Sequence, residues 1–258
     1  MKISIIGSGN VARALAKRIF ESGHEINAIF GRDYSKASEL ARSVQSKAVE
    51  KLAKLPEDSD VYILAVKDDA IVEVAKAIES KKGIIAHTSG ATPLSIFEGI
   101  QQNFGVFYPL QTFSAEIEAD FNELPICISA NNIENETKLK ELAASICPNV
   151  YAISEEQRKG LHVAAVFANN FSNFLFTTAF DICQKASLDF EMLKPLIRQT
   201  LRKIELSDPD KIQTGPARRG DQSTIKLHED WLAAHSPEFS ELYKVLTDAI
   251  IDKYSKKS

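Results

Sequence analysis

Lys2-Ile3-Ser4-Ile5-Ile6-Gly7-Ser8-Gly9-Asn10-Val11-Ala12 is the stretch on which the reading of this 258-residue chain turns. Five residues of strand character run into a glycine turn. Val11, Leu15 and Ile19 then recur at helical spacing, so a helix begins where the glycines end. Gly7 permits a tight turn, Gly9 lets a ligand approach the backbone, and Ala12 allows close packing of helix on strand. The free N–H groups and dipole at such a helix start favour an anion. This strand–turn–helix context makes G-x-G-x-x-A the fingerprint of a dinucleotide pyrophosphate site, with Gly7, Ser8, Gly9, Asn10 and Val11 as its cradle.

The alternation continues outward from that turn. Ile26–Phe30, Val61–Val66, Ile84–His87, Gly105–Leu110 and Ile126–Ser129 read as strands, and Ser35–Val44, Ala70–Ile78 and Lys138–Ile146 as helices. Val61–Val66 is apolar on both faces, as buried parallel strands are. Alternating strands and helices predict an α/β fold with a doubly wound, Rossmann-like parallel sheet. From Ser154-Glu155-Glu156-Gln157, a capping box, only helical patterns follow. They run to about Lys185, over Asp189–Ile204, and in two further helices beyond Thr214–Asp221, which reads as a Gly/Pro/Arg loop. We therefore expect a dinucleotide-binding domain over 1–153 and an all-α substrate and dimerisation domain over 154–258.

Composition narrows the function. A formal charge of −4 and a pI near 5.8 give no electrostatic footprint for nucleic acid or an anionic membrane. No apolar run has the length of a membrane span, and the N-terminus lacks the pattern of a signal peptide. Cys127, Cys147 and Cys183 form no C-x-x-C pair and read as reduced core thiols, which predicts a cytoplasmic protein with no metal site.

Other residues carry the chemistry. The second strand ends at Phe30-Gly31, without the acid that holds the ribose of NAD. Arg32, Ser35 and Lys36 follow it and suit the 2′-phosphate of NADP, although Asp33 could serve as the ribose acid. Val66, Lys67 and Ser89 follow later strands, where the nicotinamide half would lie. His87, at a strand end, either orients substrate or is a structural residue. On the first helix after Ser154, Arg158, His162, Asn169 and Asn173 fall on one stripe at about 100° per residue. That stripe makes an internal hydrogen-bond network or faces a wet cleft. His162 can supply a proton or a strong donor during hydride transfer, and Asn169 can donate or orient it. Arg219, between Gly215-Pro216 and Gly220-Asp221, offers a planar clamp for an anionic group, or pairs with Asp221, which is placed to cap the next helix.

These motifs, with Tyr108-Pro109-Leu110-Gln111-Thr112-Phe113, His87-Thr88-Ser89-Gly90 and Thr214-Gly215-Pro216…Arg219-Gly220-Asp221, resemble a family of NADP oxidoreductases. Its members join a Rossmann-like domain to a helical C-terminal domain of unknown function. More distantly the chain is similar to pyrroline-5-carboxylate reductase and the 6-phosphogluconate dehydrogenase-like group. In the nearer family a His often precedes the Pro-Leu, whereas Tyr108 stands here. The Lys-then-Asn spacing of hydroxyacid dehydrogenases is absent, because Lys159 and Asn169 lie too far apart. The resemblance implies an NADP-dependent reductase or dehydrogenase for a small polar metabolite, a keto acid or an imine. The alternative is a nucleotide-binding regulatory or redox-sensing module without turnover. The phenylalanines spread around the helix at 167–180, together with the resemblance, predict a homodimer.

Overall fold

A computed structural model describes residues 1–255. The strand and helix order is β1 (Lys2–Ile6), α1 (Asn10–Glu21), β2 (Glu25–Phe30), α2 (Tyr34–Ser43), β3 (Ala48–Val49), β4 (Val61–Leu64), α3 (Ile71–Ala77), β5 (Ile84–His87), β6 (Phe104–Pro109), β7 (Ile126–Ala130), α4 (Ile133–Ile146) and β8 (Val150–Ala152). The helices α5 (Glu155–Ala165), α6 (Ser172–Lys185), α7 (Lys194–Leu206), α8 (Pro209–Ile212), α9 (Pro216–Arg219), α10 (Gln222–His235) and α11 (Ser240–Ser255) follow, with a π-helical turn at Val166–Phe171 between α5 and α6.

The strands form one sheet in the order β3-β2-β1-β4-β5-β6-β7-β8. Chain direction across the sheet reverses between β1 and β4. Ligands of doubly wound sheets lie outside the carboxyl ends of the strands at such a switch point. Strand residues alternate between two cores, as period-two geometry requires. Ile3, Ile5, Val61 and Ile63 pack on one face with Leu15 and Ile19 of α1. Ile6, Tyr62 and Leu64 pack on the other with Ile71 and Val74 of α3.

The sequence predicts a wholly parallel sheet, and β7 departs from it by running antiparallel to β6, with Phe107 opposite Ile128. No helix occupies 110–125, so nothing carries the chain back across the sheet, and the N–H of Leu110 closes the pair by donating to the carbonyl of Pro125 at 2.9 Å. The short strands β3 and β8 fall below the length at which a hydrophobic pattern can be read. Helix α4 begins at Ile133, earlier than its periodicity implies, because Asn132 caps it through the N–H of Asn135.

The chain divides into two compact units, Met1–Val166 and Phe167–Ser258. Helix α5 thus belongs to the sheet-bearing unit, beyond the boundary at 154 that the strand-to-helix change predicts. Its capping box at Ser154 and Gln157 is formed as expected. Within the second unit, the predicted loop at Thr214–Asp221 contains the single turn α9. Pro216 starts that turn, and Gly220, at φ +66°, ends it in the left-handed conformation. No helix of the described residues is long and apolar enough to cross a membrane.

Candidate cofactor and proton-donor site

Gly7 holds the turn after β1 in a form open only to glycine. Its φ is +137°, and a Cβ there would lie 2.2 Å from the carbonyl oxygen of Ala65. Its N–H donates to the carbonyl of Phe30 at 2.7 Å, which seats the turn on the tip of β2. Gly9 is the N-cap of α1, and no side chain caps that helix. The first-turn N–H groups therefore have no side-chain acceptor, while Ser8 is half-buried and Gly9 and Asn10 are exposed. A Cβ at Gly9 meets nothing within 4 Å. This donor set, on a helix of 12 residues, fits the pyrophosphate of a dinucleotide. Asn10 also donates through Nδ2 to the carbonyl of Phe113 at 3.1 Å, tying the loop after β6 to the glycine turn.

At the tip of β2, Gly31 leaves no space for an acid. A Cβ there would lie 2.7 Å from Ser8 Oγ and 3.2 Å from Ala37 Cβ. Asp33 is engaged as the N-cap of α2, accepting from the N–H of Lys36 at 3.2 Å. Arg32, Ser35 and Lys36 are exposed around it, a set of donors suited to a phosphate.

The turns after β4 and β5 are joined. Val66 is half-buried and Lys67 exposed, and Asp68 follows them. The buried Ser89 hydroxyl donates to Asp68 Oδ2 at 2.8 Å and accepts from the N–H groups of Ala91 and Thr92. His87 is fully buried and its Nδ1 accepts from the N–H of Ser89 at 3.1 Å. Burial first, and the Arg158 charge second, push its pKa down to about 3. It is a neutral structural residue at neutral pH, the second of the two roles open to it from sequence.

Arg158, on α5, is 1% exposed. Its guanidinium donates to three main-chain carbonyls of the turn after β5, those of Ser89 (2.9 Å), Gly90 (3.0 Å) and Thr92 (2.7 Å). Burial lowers its pKa, opposed by Glu155 and Tyr108. Of the predicted polar stripe, Arg158 therefore makes an internal network. One turn along α5, His162 is half-buried, and its Nδ1 lies 3.2 Å from the hydroxyl of Tyr108 on β6. The rings of Tyr108 and His162 meet edge to face. A Cβ at Gly90 would lie 2.6 Å from His162 Nδ1 and 2.8 Å from Tyr108 Cζ, so only glycine admits this arrangement. Sequence reasoning missed that Tyr108 and Gly90 meet His162, and that Arg158 anchors the turn that carries Gly90. The contact joins residues far apart in the chain, and its only local signal was the polar stripe on an apolar helix.

In the second unit, Asn169 lies inside the π-helical turn and is exposed, as is Asn173 on α6. The π-helical turn interrupts the 3.6-residue period on which the stripe from Arg158 to Asn173 was drawn, so that alignment does not carry through the turn. The side chain of Arg219 is 64% exposed and stands 3.9 Å from Asp221. Asp221 caps α10 as expected, accepting from the N–H of Thr224 at 3.1 Å. The neighbouring Arg218 lies over the ring of Tyr254, 4.6 Å from its centroid. All three cysteines are buried free thiols.

Two family models match the chain. Residues 2–90 match the family described as NADP oxidoreductase coenzyme F420-dependent, and residues 124–250 match a domain of unknown function, DUF2520. The crystal structure of a candidate NADP oxidoreductase from Bacteroides fragilis superposes with a TM-score of 0.89 at 37% identity, covering 97% of this chain and 98% of that one. A 1-pyrroline-5-carboxylate reductase from Streptococcus pyogenes shares the fold, with a TM-score of 0.66 at 18% identity over 99% and 98% of the two chains. A glycerol-3-phosphate dehydrogenase [NAD(P)+] from Mycoplasma mobile is 29% identical over 199 residues, which is 67% of this chain and 59% of that enzyme.

Proposed function

Because the chain belongs to the family that joins an NADP oxidoreductase-type Rossmann domain to a DUF2520 domain, we propose that it is an NADP-dependent oxidoreductase acting on a small polar metabolite, a keto acid or an imine. The observation that carries this reading is the uncapped start of α1 beside a strand tip that admits no acid and is ringed by Arg32, Ser35 and Lys36. Bound NADPH supplies the hydride. Gly7, Ser8, Gly9, Asn10 and Val11 would receive its pyrophosphate, Arg32, Ser35 and Lys36 its 2′-phosphate, and Val66, Lys67 and Ser89 would border its nicotinamide. His162 provides the proton at the substrate heteroatom as charge develops there. Asn169 serves as an amide donor and Arg219 as the clamp for an anionic end of the substrate. The buried free thiols suit a reducing compartment, so the same reading places the enzyme in the cytoplasm.

A homodimer built on the helical unit is part of this reading. Phe167, Phe174, Met192 and Leu196 of that unit are 64%, 54%, 69% and 65% exposed, and apolar side chains left open in this way support an interaction surface.

NADPH oxidation against a panel of keto acids and cyclic imines tests the function. His162→Gln should lower turnover by about a hundredfold or more, with NADPH affinity and melting temperature nearly unchanged. A variant that melts early yet keeps its turnover removes His162 from the chemistry. Tight NADPH binding with no turnover on any substrate supports a regulatory module instead.

A further inference from the structure

The hydroxyl of Tyr108 has one hydrogen to donate, and Tyr108 is only 8% exposed. Two arrangements satisfy its 3.2 Å contact with His162 Nδ1. If Nδ1 carries the proton, the phenol accepts, and its own O–H has no second acceptor among the described residues. A shielded donor without a partner is more costly than a spare lone pair on a hydroxyl. If the phenol donates instead, both atoms are satisfied and the imidazole proton moves to Nε2. The setting reinforces the second arrangement. A Cβ at Gly90 would lie 2.6 Å from His162 Nδ1 and 2.8 Å from Tyr108 Cζ, so it is the missing side chain there that lets the ring and the phenol meet. Arg158 holds the carbonyl of Gly90 from the same helix, α5, that carries His162. Burial first, and Cys127 second, raise the pKa of Tyr108 above its ordinary value against the opposing charge of Arg158, so the phenol keeps its proton and is available as a donor.

We propose that Tyr108 is a positioning residue that donates to Nδ1 of His162 and so fixes the neutral imidazole in the tautomer with its proton on Nε2. A ring held in this way presents one defined donor rather than a mixture of two. Its use in turnover rests on the assignment of His162 as proton donor, but the tautomer itself does not.

The test is nitrogen-15 NMR of the full chain labelled at histidine and recorded at alkaline pH, with the His162 signals identified by their loss in His162→Gln. We expect Nε2 to be pyrrole-like and Nδ1 pyridine-like. In Tyr108→Phe both signals should move toward the average of the two tautomers, and turnover should fall by about tenfold or more, as for other rings freed into the wrong tautomer, with NADPH affinity unchanged. A pyrrole-like Nδ1 in the unsubstituted protein overturns the proposal even if Tyr108→Phe fails to fold, and so do unchanged His162 signals in a folded Tyr108→Phe. Turnover in His162→Gln separately decides the catalytic assignment, so the two can fail independently.

Discussion

In the sheet-bearing unit, Ile3, Ile5, Phe97 and Phe107 are fully buried and both faces of the sheet are covered, whereas in the helical unit Phe167, Phe174, Met192 and Leu196 stand more than half exposed. The two units differ equally in their arginines. Arg158 is enclosed and bonded to three carbonyls, while Arg219 is largely exposed and stands 3.9 Å from Asp221. One unit encloses its core within itself, and the other leaves large apolar side chains open to water. Binding of a common cofactor needs the first property. The proposed homodimer would draw on the second.

The sharpest way to break this contrast is at the glycine turn. Gly7→Ala puts a methyl group 2.2 Å from a main-chain oxygen at φ +137°, and should cost at least ~3 kcal/mol of stability together with NADPH binding. Gly9→Ala meets nothing within 4 Å, so it should keep the melting temperature while weakening NADPH. Equal losses of stability in the two variants would erase the distinction between a packing glycine and a ligand-approach glycine. Calorimetry and a fluorescence titration of NADPH read both.

On the helical side, light scattering at micromolar concentration should give about twice the 28.5 kDa chain mass, and Phe174→Glu should lower it toward one chain. A monomer before substitution ends the assembly argument. Arg32→Ala should then weaken NADPH by roughly ten- to a hundredfold, the loss of a charged hydrogen bond, while NADH binding barely changes. Equal weakening of both cofactors would show that Arg32 does not read the 2′-phosphate.

A pH-dependent effect belongs to His87. Its folded pKa is depressed to about 3, so below about pH 6.5 the unfolded chain takes up a proton that the folded chain refuses. Its contribution is complete above pH 6.5 and is lost as pH falls toward 3, with a slope of at most about 1.4 kcal/mol per pH unit. His87→Gln should flatten the fall in melting temperature between pH 6.5 and 4.5. An unchanged fall would assign that loss of stability to other groups.

The sheet-bearing unit was far more legible in the sequence than the site it supports. The glycine turn, the alternation from β1 to β5 and the caps at Ser154 and Asp221 are local signals, each written within a few residues. The direction of β7 is not local, because it follows from the absence of a crossover helix in 110–125. The π-helical turn at Val166–Phe171 carries no residue type that announces it, so a stripe drawn at uniform pitch ran through it unbroken. Arg158 is a charged residue, and charged residues are rarely enclosed. Only the carbonyls of a distant turn reveal why this one is.

The close fit at Gly90 also has an evolutionary consequence. A side chain at that position collides with ring atoms of both His162 and Tyr108, neither of which is the free end of a flexible chain. Among descendants of a common ancestor, positions 90, 108 and 162 should therefore drift together. Lineages that gain a side chain at 90 should have given up the imidazole or the phenol, and lineages that keep both rings should keep the glycine.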